Sequence, residues 1–393
     1  MRLRTAALLP GLLLAAPAVS AQAPPTSGEL QAPKLLATGL PVKLLGTAAA
    51  PGQRIEVQLR RPRGWVTVGV RRANARGRYR LRFRPRHPRR RLRFRVVAAG
   101  AVPSPPLGVR FRHVTLAAAG DINLGDSVAA VMHLRGLRFP WSGVAPMLRR
   151  ADVAFGNLEC AVSRRGYPVP KQYNFRGRPA ALRVAHRYAG MDVLNLANNH
   201  VGDFGSAALL DTISYVRRFG MAPVGAGRNL AAARRPRILR RLGLRIAFVG
   251  FSDVVPAGFA AGPASPGTTF ADPELVRADV RRARRRAHVV VATFHWGIER
   301  DTHPSGRQRL LAAAARAAGA DAVIGAHPHV LQPVTRGRRS VTAYSLGNFV
   351  WSAGSAFTAR TGILRLRLST RGVEGARLQP AVIEGARPRL LRR

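Results

Sequence analysis

Cys160 is the chain's one cysteine, so no disulfide can form within its 393 residues and a covalently stapled fold is excluded. A chain of this length buries enough surface to fold without such bridges. Lysine is nearly missing. Lys34, Lys43 and Lys171 are the only three, and the other 62 of 65 basic residues are arginines. Acidic residues are scarce as well, 18 in all, which leaves a formal net charge of +47. Such a balance fits a polyanionic partner: nucleic acid, anionic lipid, teichoic acid or another acidic polymer. It fits equally an arginine bias that only keeps surfaces wet, because charge balance governs solubility and association rather than fold. The apolar run from Ala6 to Ala16 is too short to span a bilayer.

That run follows Arg2 and Arg4 and precedes the small residues Val19-Ser20-Ala21, so residues 1–21 are expected to be a signal peptide of a secreted protein. Retained instead of cleaved, the same segment would anchor the protein at a membrane or cell surface. Residues 22–33, rich in Pro, Ala and Ser, are expected to be a flexible linker. Between 34 and 112 the pattern alternates with period two, as in Ile55-Glu56-Val57-Gln58-Leu59 and Leu92-Arg93-Phe94-Arg95-Val96. Turn residues such as Pro51-Gly52 and Arg76-Gly77 separate these runs, which predicts short half-buried strands in a small all-β sandwich. It resembles the Ig-like modules of secreted bacterial proteins. Arg84, Arg86, Arg89, Arg90, Arg91, Arg93 and Arg95 form a basic hairpin, either a charge-protected strand edge or a face that grips a polyanion.

From 113 to 371 apolar runs alternate with amphipathic stretches of helical length. Val114–Ala118, Val153–Phe155, Val193–Leu196, Ile246–Val249, Val289–Phe294, Ala322–Ile324 and Val341–Ser345 are expected as strands. Ala180–Ala189, Ser206–Phe219, Pro273–Ala287 and Gly306–Ala318 are expected as helices. Asp272 should cap the helix that Pro273 begins, and Gly220 and Gly319 should each end one. The alternation predicts an α/β domain whose strands are buried on both faces. Residues 372–393 are expected to be a C-terminal tail without active-site chemistry.

Five predicted strand ends carry metal-type residues. They are Gly120-Asp121-Ile122-Asn123, Gly156-Asn157-Leu158-Glu159, Ala197-Asn198-Asn199-His200, His295-Trp296-Gly297-Ile298-Glu299 and Gly325-Ala326-His327-Pro328-His329. Open α/β sheets place ligands at the C-terminal ends of their strands. Each residue alone has an ordinary explanation: Asp121 a turn, Asn199 a self-bonded loop, His295 core packing. Glu159 has none, because an acid straight after an apolar strand is costly when buried unpaired. Carboxylates, amide oxygens and imidazoles on successive strand ends suit a divalent ion such as Zn²⁺, Mn²⁺, Fe²⁺ or Mg²⁺.

This ordered set, with Tyr344-Ser345-Leu346-Gly347-Asn348-Phe349, resembles the CapA family of capsule or poly-γ-glutamate biosynthesis proteins across residues 114–352. That family is similar in turn to calcineurin-like metallophosphoesterases. The resemblance implies a four-layer αββα sandwich holding one or two divalent metal ions. One ion would take Asp121, Glu159 and His329. The other would take Glu159 as bridge, Asn199, His295 and His327. His200 would contact the reacting phosphoryl group, and Asn123, Glu299 and Asn348 would be further pocket residues. Asn123 stands where the wider superfamily has a His, and Glu159 where it has a bridging Asp. The implied function is a secreted metal-dependent protein of cell-surface polymer formation, acting on an anionic polymer or a phosphorylated substrate. A general phosphoesterase and a non-catalytic polyanion-binding wall protein are the alternatives. The signal-like start and the lack of any recognised binding motif argue against nucleic acid.

Overall fold

The computed structural model describes residues 26–86 and 90–391. The expected signal peptide, residues 22–25 of the expected linker and Arg89 of the basic hairpin lie outside them. Two units are present. Of the described residues, the smaller comprises 26–32, Lys43–Phe83 and Leu92–Gly108; the larger comprises Pro33–Val42, 84–86, 90–91 and 109–391.

In the smaller unit, Arg54–Arg61 pairs antiparallel with both Gly64–Arg72 and Arg91–Ala98. Ile55, Val57, Leu59, Phe94 and Val96 point inward and are fully buried, as period-two alternation requires. Arg95, on the wet face, lies 4.4 Å from the centre of the Trp65 ring and donates to Gln58 Oε1 at 2.9 Å. The expected linker is corrected in part. Glu29–Gln31 is a strand paired with Val42–Thr47, and the Tyr79 hydroxyl donates to the Glu29 carbonyl at 2.7 Å. Ladder hydrogen bonds outweigh a loop-like composition there.

The larger unit is mixed α/β. Numbering its elements from Val114, the strands of its first sheet are β1 (Val114–Ile122), β2 (Val153–Leu158), β3 (Val193–Asn195) and β4 (Ala222–Val224). Those of its second are β5 (Arg237–Arg241), β6 (Leu244–Ser252), β7 (Val289–His295), β8 (Ala322–Ala326), β9 (Val334–Arg336) and β10 (Val341–Ala343). The chain then returns to the first sheet through β11 (Asn348–Val350), β12 (Arg360–Ser369), β13 (Gly372–Glu384) and β14 (Arg387–Leu390). The first sheet has the order β4-β3-β2-β1-β12-β13-β14, with β11 also on β1; the second runs β5-β6-β7-β8-β10-β9. β1 to β4 are mutually parallel, and so are β6, β7, β8 and β10.

Those central strands are near-continuous apolar runs, the signature of burial on both faces. Phe155 of β2 stacks on Phe248 of β6 at 6.0 Å between ring centres, joining the two sheets face to face. Helices α1 (Asp126–Arg135), α2 (Ala145–Arg150), α3 (Pro179–Arg187) and α4 (Gly205–Arg218) share a core with the first sheet. Helices α5 (Pro273–Arg284) and α6 (Gly306–Ala317) share one with the second. Asp272 caps α5 by accepting from Glu274 N and Leu275 N, and Gly220 and Gly319 take positive φ just past α4 and α6.

The expected tail is corrected. Residues from Gly372 include two sheet strands, β13 pairing with the whole of β12. The strand they extend from alternates: β12 keeps Leu364, Leu366 and Leu368 buried while Arg365 and Arg367 are exposed. Two glycines allow backbones to close in beside the strand ends. A Cβ on Gly120 would lie 1.9 Å from the Gly347 carbonyl oxygen, and one on Gly325 would lie 1.9 Å from that of Tyr344.

Candidate metal centre

The parallel topology brings the C-terminal ends of β1, β2, β3, β7 and β8 together, and with them Asp121, Glu159, Asn199, His295, His327 and His329. His329 Nδ1 lies 3.4 Å from Asp121 Oδ2, and its Nε2 lies 3.8 Å from Glu159 Oε1. His295 Nε2 lies 3.3 Å from the same Glu159 oxygen and 2.7 Å from Asn199 Oδ1. The rings of His295 and His327 are 4.7 Å apart, and those of His327 and His329 5.7 Å. Donor atoms of Glu159, His327 and His329 lie within 4.8 Å of one another, as do those of Asp121, Glu159 and His295. Glu159 is shared, as the resemblance implies, but His327 and His329 fall in one group and His295 with Asp121 in the other.

The residues fit a cation on their own evidence. Glu159 Oε1 and His327 Nδ1 are buried with no hydrogen-bond partner among the described residues. Groups so placed cost roughly 1–3 kcal/mol each unless something pairs them. Burial, with repulsion from Asp121 and Glu299 added, pushes the Glu159 carboxyl well above its ordinary range. Burial, and then the charge of His329, takes His327 down to about 3. Burial, with the charges of His327 and His329, holds His295 well below the ordinary imidazole range. For His329 burial acts downward too, but the hydrogen bond to Asp121 and that carboxylate's charge outweigh it and raise its pKa. His295 and His327, held neutral beside buried carboxylates, are what a divalent ion coordinates.

The loop that carries the histidine pair is strained. His327 and His329 both adopt left-handed backbone, with φ of 95° and 58°. Non-glycine residues held there cost of order 1–3 kcal/mol each and cluster at functional sites.

The sequence places Asn348 in the pocket but leaves Asn157 without a role; both hold ligands in place. Asn157 Nδ2 donates to Asp121 Oδ1 at 2.9 Å and lies 3.2 Å from His295 Nδ1, while its Oδ1 accepts from Asn195 Nδ2 at 2.9 Å and Asn198 Nδ2 at 3.3 Å. That chain of amides fixes which end of Asn157 faces the carboxylates. Asn348 Oδ1 lies 2.9 Å from His329 Nδ1, which leaves Nε2 as the free donor atom of that ring.

His200 is nearly buried, and its Nδ1 sits 2.7 Å from Asp203 Oδ2. Lys171 Nζ donates to Asp203 Oδ1 and to the Asn199 carbonyl, both at 2.6 Å. Burial lowers the His200 pKa, and the charges of Lys171 and His329 add to that; Asp203 opposes them without prevailing. Phe175 stacks on His200 at 4.3 Å, and Trp351 meets Phe175 at 5.6 Å and His329 at 4.7 Å. An aromatic wall therefore runs from His200 to the ligands. The sequence signal for Asp203 was its place three residues after His200; Lys171 and the aromatics carried none.

Two expected pocket residues stand apart from the ligands. Asn123 is buried, but its Oδ1 accepts from Gly125 N at 2.8 Å and shapes the turn after β1. Glu299 is exposed and acts on Glu159 and His329 through its charge.

Residues 115–353 match the family described as bacterial capsule synthesis protein PGA_cap. The PGA biosynthesis protein CapA of Bacillus subtilis is 34% identical over 301 residues, which cover 76% of this chain and 79% of that protein. The capsule biosynthesis protein CapA of Bacillus anthracis is 32% identical, over 70% of this chain and 69% of that one. A probable polyglutamine synthesis accessory protein of Mycobacterium tuberculosis is 30% identical, over 59% of this chain and 65% of that one. The chain belongs to the PGA_cap family of bacterial capsule synthesis proteins.

Proposed function

We propose that this chain is an extracytoplasmic, metal-dependent protein of capsule or poly-glutamate-type polymer synthesis, with a hydrolytic centre of metallophosphoesterase type in an αββα sandwich. Family membership supports the polymer role, and the signal-like residues 1–21 support export. The alternating strands of the smaller unit support an Ig-like module. The observation that carries the chemistry is the buried, unpartnered Glu159 Oε1 and His327 Nδ1 among converging carboxylates and imidazoles.

Asp121, Glu159, Asn199, His295, His327 and His329 would hold one or two divalent ions, with Glu159 shared. A bound divalent ion supplies Lewis-acid polarisation of a phosphoryl oxygen and a nucleophile at neutral pH. The chain's own residues supply the rest. Asn157 and Asn348 orient the carboxylates and the His329 ring. Asp203 fixes the His200 tautomer with the proton on Nδ1, so Nε2 is free to hold or pass a proton at a leaving oxygen. Phe175 and Trp351 shield that ring from water.

Purified protein is expected to carry divalent metal by elemental analysis. Replacing His327 and His329 together by Ala should remove it while the circular dichroism spectrum stays native. Metal content unchanged by that double substitution overturns the proposal. A panel of phosphomonoesters and diesters assayed with Mn²⁺ tests the hydrolytic part; turnover of none defeats it.

A further inference from the structure

A cavity of about 550 Å³ lies over β1, β12 and β13 and is lined by five arginines, Arg150, Arg336, Arg365, Arg367 and Arg377. It is not part of the metal centre. β1 lines it at Thr115–Ala117 and reaches the metal centre only at Asp121, about 13 Å further along at the usual strand rise.

Two features of these arginines bear on what the cavity can hold. The first is register. Arg365 and Arg377 stand directly opposite each other on paired antiparallel strands. Like charges in that position destabilise a sheet. The single acid of the lining, Glu374, does not relieve them, because it is held by Arg371 at 2.9 Å and Ser369 at 2.7 Å. Arg150, Arg365, Arg367 and Arg377 thus have no ion-pair partner among the described residues. The second feature is the floor. Gly375 and Ala376 leave the backbone bare, and a Cβ on Gly375 would lie 2.7 Å from Arg367 Nε, so a guanidinium lies flat where any side chain would push it off.

We propose that this cleft is a second binding site, for an extended acidic chain with repeated carboxylates. One carboxylate sits between Arg365 and Arg377 and relieves their repulsion. The next engages Arg367, two residues along the same strand face. That step is about 7 Å, the distance between alternate side chains of an extended chain. Arg336, which donates to the Ala376 carbonyl, and Arg150 close the two sides. Guanidinium forks take carboxylates in bidentate fashion. The choice of carboxylate over phosphate rests on the polymer role proposed above; the anion site itself does not.

Calorimetric titration of the full chain with a soluble oligo-glutamate tests the site. Binding to the native sequence should weaken as salt rises. It should fall at least tenfold in Arg365→Ser/Arg377→Ser and stay unchanged in His327→Ala/His329→Ala. The arginine variant should melt at or above the native temperature without ligand, since a like-charge pair is gone, so lost binding cannot be put down to unfolding. Equal binding by the arginine variant overturns the proposal. So does binding lost only in the histidine variant, which would place the anion at the metal centre. Polyphosphate bound with oligo-glutamate ignored overturns the carboxylate assignment. Arginine-dependent oligo-glutamate binding in a protein found to hold no metal supports this site and overturns the function proposed above.

Discussion

Asp203 is a fully buried carboxylate with several donors on it: Lys171, the Phe175 backbone N–H at 2.7 Å and the His200 ring. It binds no expected metal ligand through its own side chain; it reaches the centre through His200 and through Lys171, which also donates to the Asn199 carbonyl. Asp203→Asn is isosteric but presents an amide in place of the oxygen that fixes Nδ1–H. Turnover of a phosphoester substrate should fall by about 10²-fold or more, the range that a positioned acid–base group contributes. Metal content by elemental analysis should not change. A variant that loses its metal instead would make Asp203 a support of the ligand loop only. At this scale the sequence was informative where chemistry leaves a compositional mark. Asp121, Glu159, Asn199, His295, His327 and His329 each follow an apolar strand, where a polar side chain needs a reason. Lys171 and Asp203 sit in loops, where charged residues are ordinary; only its spacing from His200 marks Asp203 out, and nothing marks Lys171. Asn157 stands within its motif, yet its amide ladder to Asn195 and Asn198 exists only once β2 and β3 are side by side.

Between elements, the junction before β2 depends on Asp152. Arg112 grips it with two nitrogens at 2.6 and 2.7 Å, and Thr115 donates from its backbone N at 2.8 Å and its hydroxyl at 2.9 Å. Burial pushes the Asp152 pKa up, but the bonds from Arg112 and Thr115 outweigh it and hold it below the usual carboxylate value. With the folded value below the unfolded one, the contribution is complete above the unfolded pKa, about 4, and is lost as pH falls through the folded value. Asp152→Asn should therefore flatten the acid limb of stability below about pH 5, seen as denaturant midpoints that vary less with pH than in the native sequence. Legibility here followed burial. Strands sunk on both faces announced themselves as apolar runs, and α5 through Asp272-Pro273. The last strands of the larger unit, each with a wet face, did not: Leu and Arg alternate along β12, and Pro380 interrupts β13. Helix α1 is not legible in its sequence, DSVAAVMHLR, which has no clear apolar stripe.

For the whole molecule, the last strands matter more than a tail would. β12 lies between β1, which carries Asp121, and β13. A chain ended at Arg371 leaves β12 as a long unpaired edge, which invites aggregation. Its soluble yield and metal content should both collapse; a soluble truncation that binds metal normally would show that the final strands are dispensable. One consequence of the strand-end arrangement reaches across the entire larger unit. Asp121, Glu159 and Asn199 come from one sheet, and His295, His327 and His329 from the other. A cation held by both sets is a rivet through two plates. Stripped by chelation, the plates keep their apolar packing and polar bridges such as Arg241 to Asp192 at 2.9 Å but lose the ion, and should part more easily, so the calorimetric melt should move to lower temperature and broaden, and re-addition of metal should restore one sharp transition.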